Sequence, residues 1–457
     1  RQRARRLRTD SRELQWGDLF FALKGPYFDG HQFVSQAIKN GAIGVVVETS
    51  PPQDLIRNLN RWNRRRNKPP SIFIEVGDAL TAFQELARYH RQRFDIPVIA
   101  ITGSNGKTTT KEMVTSILKA QWRVLSTKGN FNNKIGLPHT LLRLHKGHEM
   151  AVIEMGVDAE GQTTRLCQIA QPTIGVMTNI GPDHLEFFGS IEGSARAKAE
   201  LLAELPSNGT VVLNADDGYY PWLQPQVRCN QLAFGLSRKA QVRGSQVRPL
   251  ESRTHFQVSF PTLKKSESAS IRTQGIHNVS NALAAMAVGY TVGMSAHTMM
   301  KGLEQFRPAA MRSQILKRRG ITIIQDCYNA NPASMKAAID LLMEMGAGTG
   351  TFAVLGDMLE LGKHTKQLHR EVGEWAVAKN VSCLIACGAL GKEMAKGAQS
   401  TGRHSTKVFE VPTVEEASSL LRDMIGRGDV LLIKGSRGMT MEKILDEGLK
   451  PPVHGRS

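Results

Sequence analysis

The sequence predicts an α/β protein of three domains built around parallel sheets, and three features carry that expectation. At 457 residues the chain exceeds what a single core organises, since domains run roughly 100–200 residues. Short apolar runs (IPVIAIT, MAVIEMG, TIGVMTNI) recur with helical sequence between them, as strands buried on both faces by crossover helices require. The first of these runs opens into a Gly-rich turn and a helix, a local arrangement suited to phosphate.

In chain order, residues 1–94 read as a small α/β unit: GDLFFALKG, a helical stretch from His31 to Asn40, then the short strands GAIGVVVE and SIFIEV. Residues 95–312 form the second unit, where IPVIAIT, MAVIEMG, TIGVMTNI and TVVLNADD predict a parallel sheet with helices on both faces. Residues 313–457 repeat the alternation in ITIIQDCY, TFAVLGD, CLIACG and DVLLIKGS, with a helix over Pro332 to Met345; this is a Rossmann-like pattern.

Composition narrows the classes. Hydrophobic residues at 41% and charged residues at 22% fit a globular chain, and the 42 glycines fall in short motifs instead of a repeat. No apolar run reaches the roughly 18 residues of a membrane span, so none is expected. No signal-like segment follows Arg1, which points to a cytoplasmic protein with an incomplete N-terminus. The five cysteines (Cys167, Cys229, Cys327, Cys383, Cys387) show no C-x-x-C spacing and read as reduced and mostly buried. A monomer is expected.

The net charge of +18 suits nucleic acid, an anionic membrane surface or anionic small substrates alike. Its densest runs are RQRARRLR at the start and NRRRNK from Asn63 to Lys68. Neither contains an aromatic residue to stack on bases, so they read as a frayed terminus and a solvated loop, and no nucleic-acid partner is expected.

The segment IPVIAITGSNGKTTTKEMVTSIL carries the sharpest chemistry. Gly103 and Gly106 permit a tight backbone, and Ser104 and Asn105 complete a turn whose N–H groups suit phosphate oxygens. Lys107 would reach terminal phosphates, and the Thr108 and Thr109 hydroxyls would serve phosphate or Mg²⁺. Ile101 stands where the pattern G-x-x-x-x-G-K-[ST] has its first Gly, and the plain alternative is a glycine turn between strand and helix. A mononucleotide such as ATP is the natural ligand.

The shorter form TGxxGKTT resembles the loop of the Mur ligases and of their relative folylpolyglutamate synthase. Further motifs in the same order, from DSR at Asp10 to KGSRGM at Lys434, extend the resemblance to the Mur ligases over nearly the whole chain. It implies ATP-dependent amide-bond formation, in which a carboxylate is phosphorylated and an amine then attacks the acyl phosphate with water excluded.

Glu154, ending MAVIE, and His184, in TNIGPDHLEFFG, fall at the carboxyl ends of strands, where open α/β sheets place ligands. A loop carboxylate and a helix-cap histidine explain them equally well. The resemblance implies that they bind Mg²⁺ beside Thr108. Lys198, in EGSARAKAELLAEL, reads as a solvated helix residue. The resemblance implies instead a lysine carbamylated by CO₂, which would act as a further metal ligand.

In GIHNVSNALAAMAVG, Asn278 and Asn281 suit helix capping, whereas the resemblance implies adenine-side contacts. It also implies Arg312 on the ATP phosphates, Asp326 on the ribose and Tyr328 near the nucleotide. ATP would then clamp the second and third domains together.

Ser11 and Arg12 of DSR, Lys24 of GDLFFALKG, and Asp29, Gly30 and His31 of DGH read alone as turn or surface residues. The resemblance implies that they bind a uridine diphosphate. It places Asn130, Asn132 and Asn133 of GNFNNKIGLP against a muramoyl-peptide. By the same resemblance DCYNANPASM and LGDMLELG, with no DNPR motif, imply UDP-N-acetylmuramoyl-tripeptide and D-alanyl-D-alanine as substrates. Asn329 and Asn331 would then lie near the acceptor, and Lys434, Ser436 and Arg437 would contribute from the third domain.

Two rival readings are tested by particular residues. A folylpolyglutamate synthase shares the phosphate loop but has no need of DSR or DGH. A basic nucleic-acid or membrane binder regulated by nucleotide explains the charge but not Glu154, His184 and Lys198.

Overall fold

The structure, a computed structural model, describes residues 4–25, 27–250 and 253–447; the first three residues of RQRARRLR lie outside them. The chain gathers into two compact units. The first comprises Arg1–Ile96, Thr127–His148 and Arg165–Gln171. Its sheet is parallel throughout, with the strands Leu7–Arg8, Leu19–Phe21, Gly44–Val47 and Ile72–Glu75 in that order. Alternate side chains feed opposite faces: Phe20 and Val45 pack with Ile38 and Leu59, while Phe21 and Val46 pack with Ala79 and Phe83. The helical stretch expected from His31 is a 3₁₀ turn, Gly30–Phe33, running into the α-helix Val34–Asn40.

The second unit comprises Pro97–Ser126, Glu149–Thr164 and Pro172–Ser457. In its nine-stranded sheet Val98–Thr102 pairs in parallel with Ile174–Met177 on one side and Met150–Glu154 on the other, and all three strands are buried along their whole length. From Val98–Thr102 the chain builds out to one side and later returns to the other, so the carboxyl end of this strand is a topological switch point. Thr210–Asn214 and Asn230–Gly235 continue the parallel sheet.

Beyond them the parallel expectation gives way. Val242–Leu250, Arg253–Ser259 and Glu267–Ile271 are antiparallel to one another. Arg253–Ser259 alternates buried with half-exposed residues, so it has no continuous apolar run to announce it.

A six-stranded sheet closes the chain, in the order Gln314–Arg318, Ile321–Asp326, Val430–Lys434, Thr351–Leu355, Cys383–Cys387 and Lys407–Val411. It is parallel except for its opening hairpin. The cysteines are free, four of them buried and Cys229 half-buried. Among the described residues no helix is long and apolar enough to cross a membrane.

Candidate active site

The Gly-rich turn leaves the strand at the switch point and enters the helix Lys107–Leu118, with Gly106 (φ 78°) as its N-cap. The segment after Ile174–Met177 holds the turn in shape. Ser104 N–H donates to Asn179 O at 2.9 Å, Asn105 N–H to Asn179 Oδ1 at 2.9 Å, and Thr178 Oγ1 donates to Asn105 O at 2.6 Å. Lys107 folds over the turn, its Nζ donating to Gly103 O at 2.5 Å and Ser104 O at 3.2 Å. A helix N-terminus, free backbone geometry and a cation thus meet in one loop, as an anionic phosphate chain requires.

Gly103 (φ 137°) has no room for a side chain, since a Cβ there would overlap Thr178 Oγ1 and lie 3.0 Å from Asn179 O. Gly103→Ala is therefore expected to open the loop and weaken ATP binding by roughly 10-fold or more, with a stability loss of about 1–3 kcal/mol from the strained backbone. Isothermal titration with ATP and thermal unfolding check this. An alanine variant that binds normally would show that the loop shape is dispensable.

Thr108 Oγ1 donates to Glu154 Oε1 at 3.0 Å, both side chains being buried. A hydroxyl and a carboxylate side by side at the end of a phosphate loop are the hard oxygen donors that Mg²⁺ prefers. His184 does not join them in hydrogen bonding: its Nδ1 lies 2.5 Å from Glu360 Oε2, and that hydrogen bond holds the Glu360 carboxyl below its usual range. His184 also stands as the N-cap of Leu185–Phe188, with φ 50°. Among the described residues no three His, Cys, Asp or Glu side chains gather as metal ligands.

Lys198 is not the solvated residue its helix suggested. It is 1% exposed, and its Nζ donates to Asp183 Oδ1 at 3.0 Å and Ser194 Oγ at 2.6 Å. The same Asp183 oxygen accepts from Ser104 Oγ at 2.6 Å and Ser194 Oγ at 2.8 Å, so one buried carboxylate ties the phosphate loop to the helix Ile191–Glu204. Burial alone would raise the Asp183 carboxyl; the cations of Lys198 and Lys107 and the two hydroxyls outweigh it and hold the group below its usual range. Burial lowers the Lys198 amine to about 8, with Asp183 pulling it up and Lys107 adding to the fall. Sequence reasoning passed over Asp183 and Glu360, although each sits in a segment already singled out.

The two asparagines of the small-residue helix are engaged locally. Asn278 Nδ2 donates to Gln274 O at 2.7 Å, and Asn281 lies against Gly106, its Oδ1 accepting from Thr110 Oγ1 at 3.2 Å. From the last sheet, Asn331 caps Pro332–Met345 and its Nδ2 reaches Asn105 Oδ1 at 2.8 Å, so it touches the phosphate loop directly.

The Arg312 guanidinium lies 3.9 Å over the Tyr328 ring. Asp326 accepts from Ser313 N at 3.0 Å and from the buried Lys434 Nζ at 2.6 Å; the same amine donates to Asn329 O at 2.9 Å. Ser436 Oγ accepts from Leu359 N at 2.9 Å, and Arg437 pairs with Glu442 at 2.7 Å. Thr109 lies in the first turn of the phosphate-loop helix.

In the first unit the DGH residues form one network. His31 Nε2 accepts from Glu48 N–H at 2.9 Å, so its Nδ1 carries the proton it shares with Asp29 Oδ1 at 2.7 Å. Glu48 pairs in turn with Lys24 at 2.7 Å. Gly30 is required by the backbone beside it, since a Cβ would meet Leu23 O at 2.7 Å. Arg12 is forked on Asp10, with a shortest distance of 2.6 Å, and Ser11 O accepts from Asn40 Nδ2 at 2.9 Å. Asn133 Oδ1 accepts from Ile135 N and Gly136 N at 3.1 and 3.0 Å, and Asn132 N donates to Asn130 O at 2.8 Å.

A phosphate loop at a switch point, with a buried Thr–Glu pair and a buried lysine beside it, defines a nucleotide-dependent group-transfer enzyme, and the comparisons say which kind. Residues 4–91 match the Mur ligase family catalytic domain, residues 101–289 the Mur ligase middle domain, and residues 311–437 the Mur ligase glutamate ligase domain. The chain belongs to the Mur ligase family.

It is 37% identical over 451 residues to the UDP-N-acetylmuramoyl-tripeptide--D-alanyl-D-alanine ligase of Bacillus subtilis, covering 97% of this chain and 93% of that protein. The enzyme of that name in Escherichia coli is 34% identical, over 96% of this chain and 92% of its own. The crystal structure of MurF from Acinetobacter baumannii superposes with a TM-score of 0.88 at 32% identity, covering 98% of this chain and 94% of that one. The MurF ligase from Thermotoga maritima in complex with ADP superposes with a TM-score of 0.84 at 28% identity, covering 97% of both chains.

Proposed function

We propose that this ATP-dependent ligase joins D-alanyl-D-alanine to UDP-N-acetylmuramoyl-tripeptide, giving the UDP-linked pentapeptide, ADP and phosphate. The observation that carries the reading is likeness to enzymes of that name along the whole chain, with the phosphate loop intact at its centre. The tripeptide carboxylate attacks the γ-phosphorus and ADP leaves. The dipeptide amine then attacks the acyl phosphate carbonyl, loses a proton, and expels phosphate to leave the amide. ATP dependence suits the cytoplasm.

Both steps bring negative charge together, so fixed cations aimed at the developing charge lower the barrier. Lys107 is the residue for the terminal phosphates, with Gly103, Ser104, Asn105, Gly106 and Thr109 supplying the cradle. Asn278, Asn281, Arg312, Asp326 and Tyr328 are assigned to the rest of the nucleotide. Thr108 and Glu154 fit Mg²⁺ by donor type, and His184 would join them on releasing Glu360. Bound there, the metal would offset phosphate charge.

Lys198 as a free amine is no metal ligand. An amine lowered to about 8 is neutral often enough near neutral pH to add CO₂ and lose a proton, and the carbamate so formed offers oxygen donors. Residues 1–94, through Ser11, Arg12, Lys24, Asp29, Gly30 and His31, are assigned the uridine diphosphate, and Asn130, Asn132 and Asn133 the muramoyl-peptide. Residues 313–457, through Asn329, Asn331, Lys434, Ser436 and Arg437, are assigned the acceptor side.

Phosphate release from ATP tests the reading directly. Release is expected only with both UDP-N-acetylmuramoyl-tripeptide and D-alanyl-D-alanine present, and not with L-alanyl-L-alanine in place of the dipeptide. Release driven by a folate and glutamate would move the chain to the folylpolyglutamate branch.

A further inference from the structure

We propose that the outward face of the helix Gln53–Arg64, together with the loop after it, docks this protein on an anionic lipid surface. The helix turns Leu55 and Leu59 toward the core of its unit, while Arg57, Arg61, Arg64 and Arg65 are exposed on the opposite arc. From Gln53 to Lys68 there are six cations and one carboxylate, Asp54, which pairs with Arg57 at 2.6 Å. Among the described residues none of Arg61, Arg64, Arg65, Arg66 and Lys68 has a carboxylate partner. So one-sided a charge aids solubility but repels itself, and an anionic partner would offset that repulsion.

The run NRRRNK contains no aromatic residue, but the fold supplies two. The Arg66 guanidinium lies 4.0 Å from the centroid of the Trp62 ring; the Lys68 ammonium lies 4.5 Å from that of Trp16 and 5.7 Å from that of Trp62. Lys68 therefore bridges two indoles brought together from separate segments, and Trp16 is 42% exposed. The Arg5 side chain extends the patch, lying against Gly17 beside Trp16.

The geometry favours lipid over nucleic acid. Base stacking needs an open ring face, and here a cation already lies over each indole. Indoles at the rim of an arginine stripe match instead the headgroup layer, where amphipathic rings settle and each nearby Lys or Arg adds to the attraction. The patch makes no use of the nucleotide site and stands apart from the ligase reading.

Sedimentation of the full chain with vesicles tests it, using phosphatidylcholine alone and phosphatidylcholine mixed with phosphatidylglycerol at physiological salt. Binding is expected only to the acidic vesicles. The variant Arg61→Gln/Arg64→Gln/Arg65→Gln/Arg66→Gln should bind them by roughly 100-fold less while keeping its ligase turnover and melting temperature. Absence of binding to acidic vesicles, or equal binding by the variant, overturns the proposal. So does tighter binding to duplex DNA than to vesicles, which would assign the patch to nucleic acid.

Discussion

Replacing Lys107 with alanine is expected to lower kcat by roughly 10²-fold or more while leaving the melting temperature almost unchanged. The lysine is half-buried, and among the described residues its ammonium hydrogen-bonds two carbonyls of its own loop; Asp183, which also feels its charge, keeps Lys198 as its ion-pair partner when Lys107 is removed. In the reaction the same ammonium faces a γ-phosphoryl group gaining charge on its oxygens, where a fixed cation matters most.

Two roles compete for this residue: a brace that keeps Gly103 and Ser104 in place, and a charge that acts on phosphate. Lys107→Gln separates them, since an amide keeps a donor for the loop carbonyls but carries no charge. If the charge acts, glutamine is as inactive as alanine; if the brace acts, glutamine recovers most of the turnover. Steady-state phosphate release with both substrates, alongside thermal unfolding, distinguishes these outcomes. Near-normal turnover in the alanine variant would remove Lys107 from the chemistry.

The parts of this molecule legible in its sequence are those whose signals are local. VIAIT, MAVIE and IGVM are buried on both faces and so read as apolar runs, and the loop after the first of them shows its glycines, lysine and threonines in order. The antiparallel extension is different: Glu267–Ile271 carries one strong apolar residue, Ile271, and its pairing partner alternates, so neither passes a test for buried strands.

The site shows the same division. Thr108 and Glu154, which the family resemblance places together and their local sequence does not, touch in the structure. The burial of Lys198, in contrast, is decided by Asp183, fifteen residues earlier, and by the packing of small residues around the helix. The bond between His184 and Glu360 joins positions 176 residues apart, a separation that no local pattern encodes. Lys434 was expected to work from the third domain, but why it is buried appears only once Asp326 and the Asn329 carbonyl are seen around it.

Asp183→Ala is expected to be the most destabilising single substitution near the site, at about 3–5 kcal/mol, because it strands a buried ammonium. Lys198 would keep Ser194 Oγ but lose the only carboxylate in ion-pair contact with it among the described residues, and the Ser104 hydroxyl would lose its shorter acceptor at the edge of the phosphate loop, keeping only Gly181 O at 3.1 Å. The sign of the pH dependence follows from Asp183 raising the folded-state pKa of Lys198 above what burial alone would set. The stabilisation from the pair is therefore fully present while the lysine is charged and is lost as pH rises through about 8. On the acid side it fades only below the usual carboxylate range, since Asp183 is held lower than that.

The difference in unfolding free energy between the wild-type protein and Asp183→Ala should thus be largest near neutral pH and shrink in alkaline buffer. Adding Lys198→Met removes the stranded charge, and the double variant should recover much of the stability while remaining inactive, since a buried ion pair replaced by apolar volume is often neutral. Denaturant unfolding of the two single variants and the double variant at neutral and alkaline pH provides the check. A penalty for Asp183→Ala that is independent of pH, with no recovery in the double variant, would mean that the carboxylate stabilises the loop through Ser104 alone and leaves Lys198 to be held by its hydroxyl neighbour.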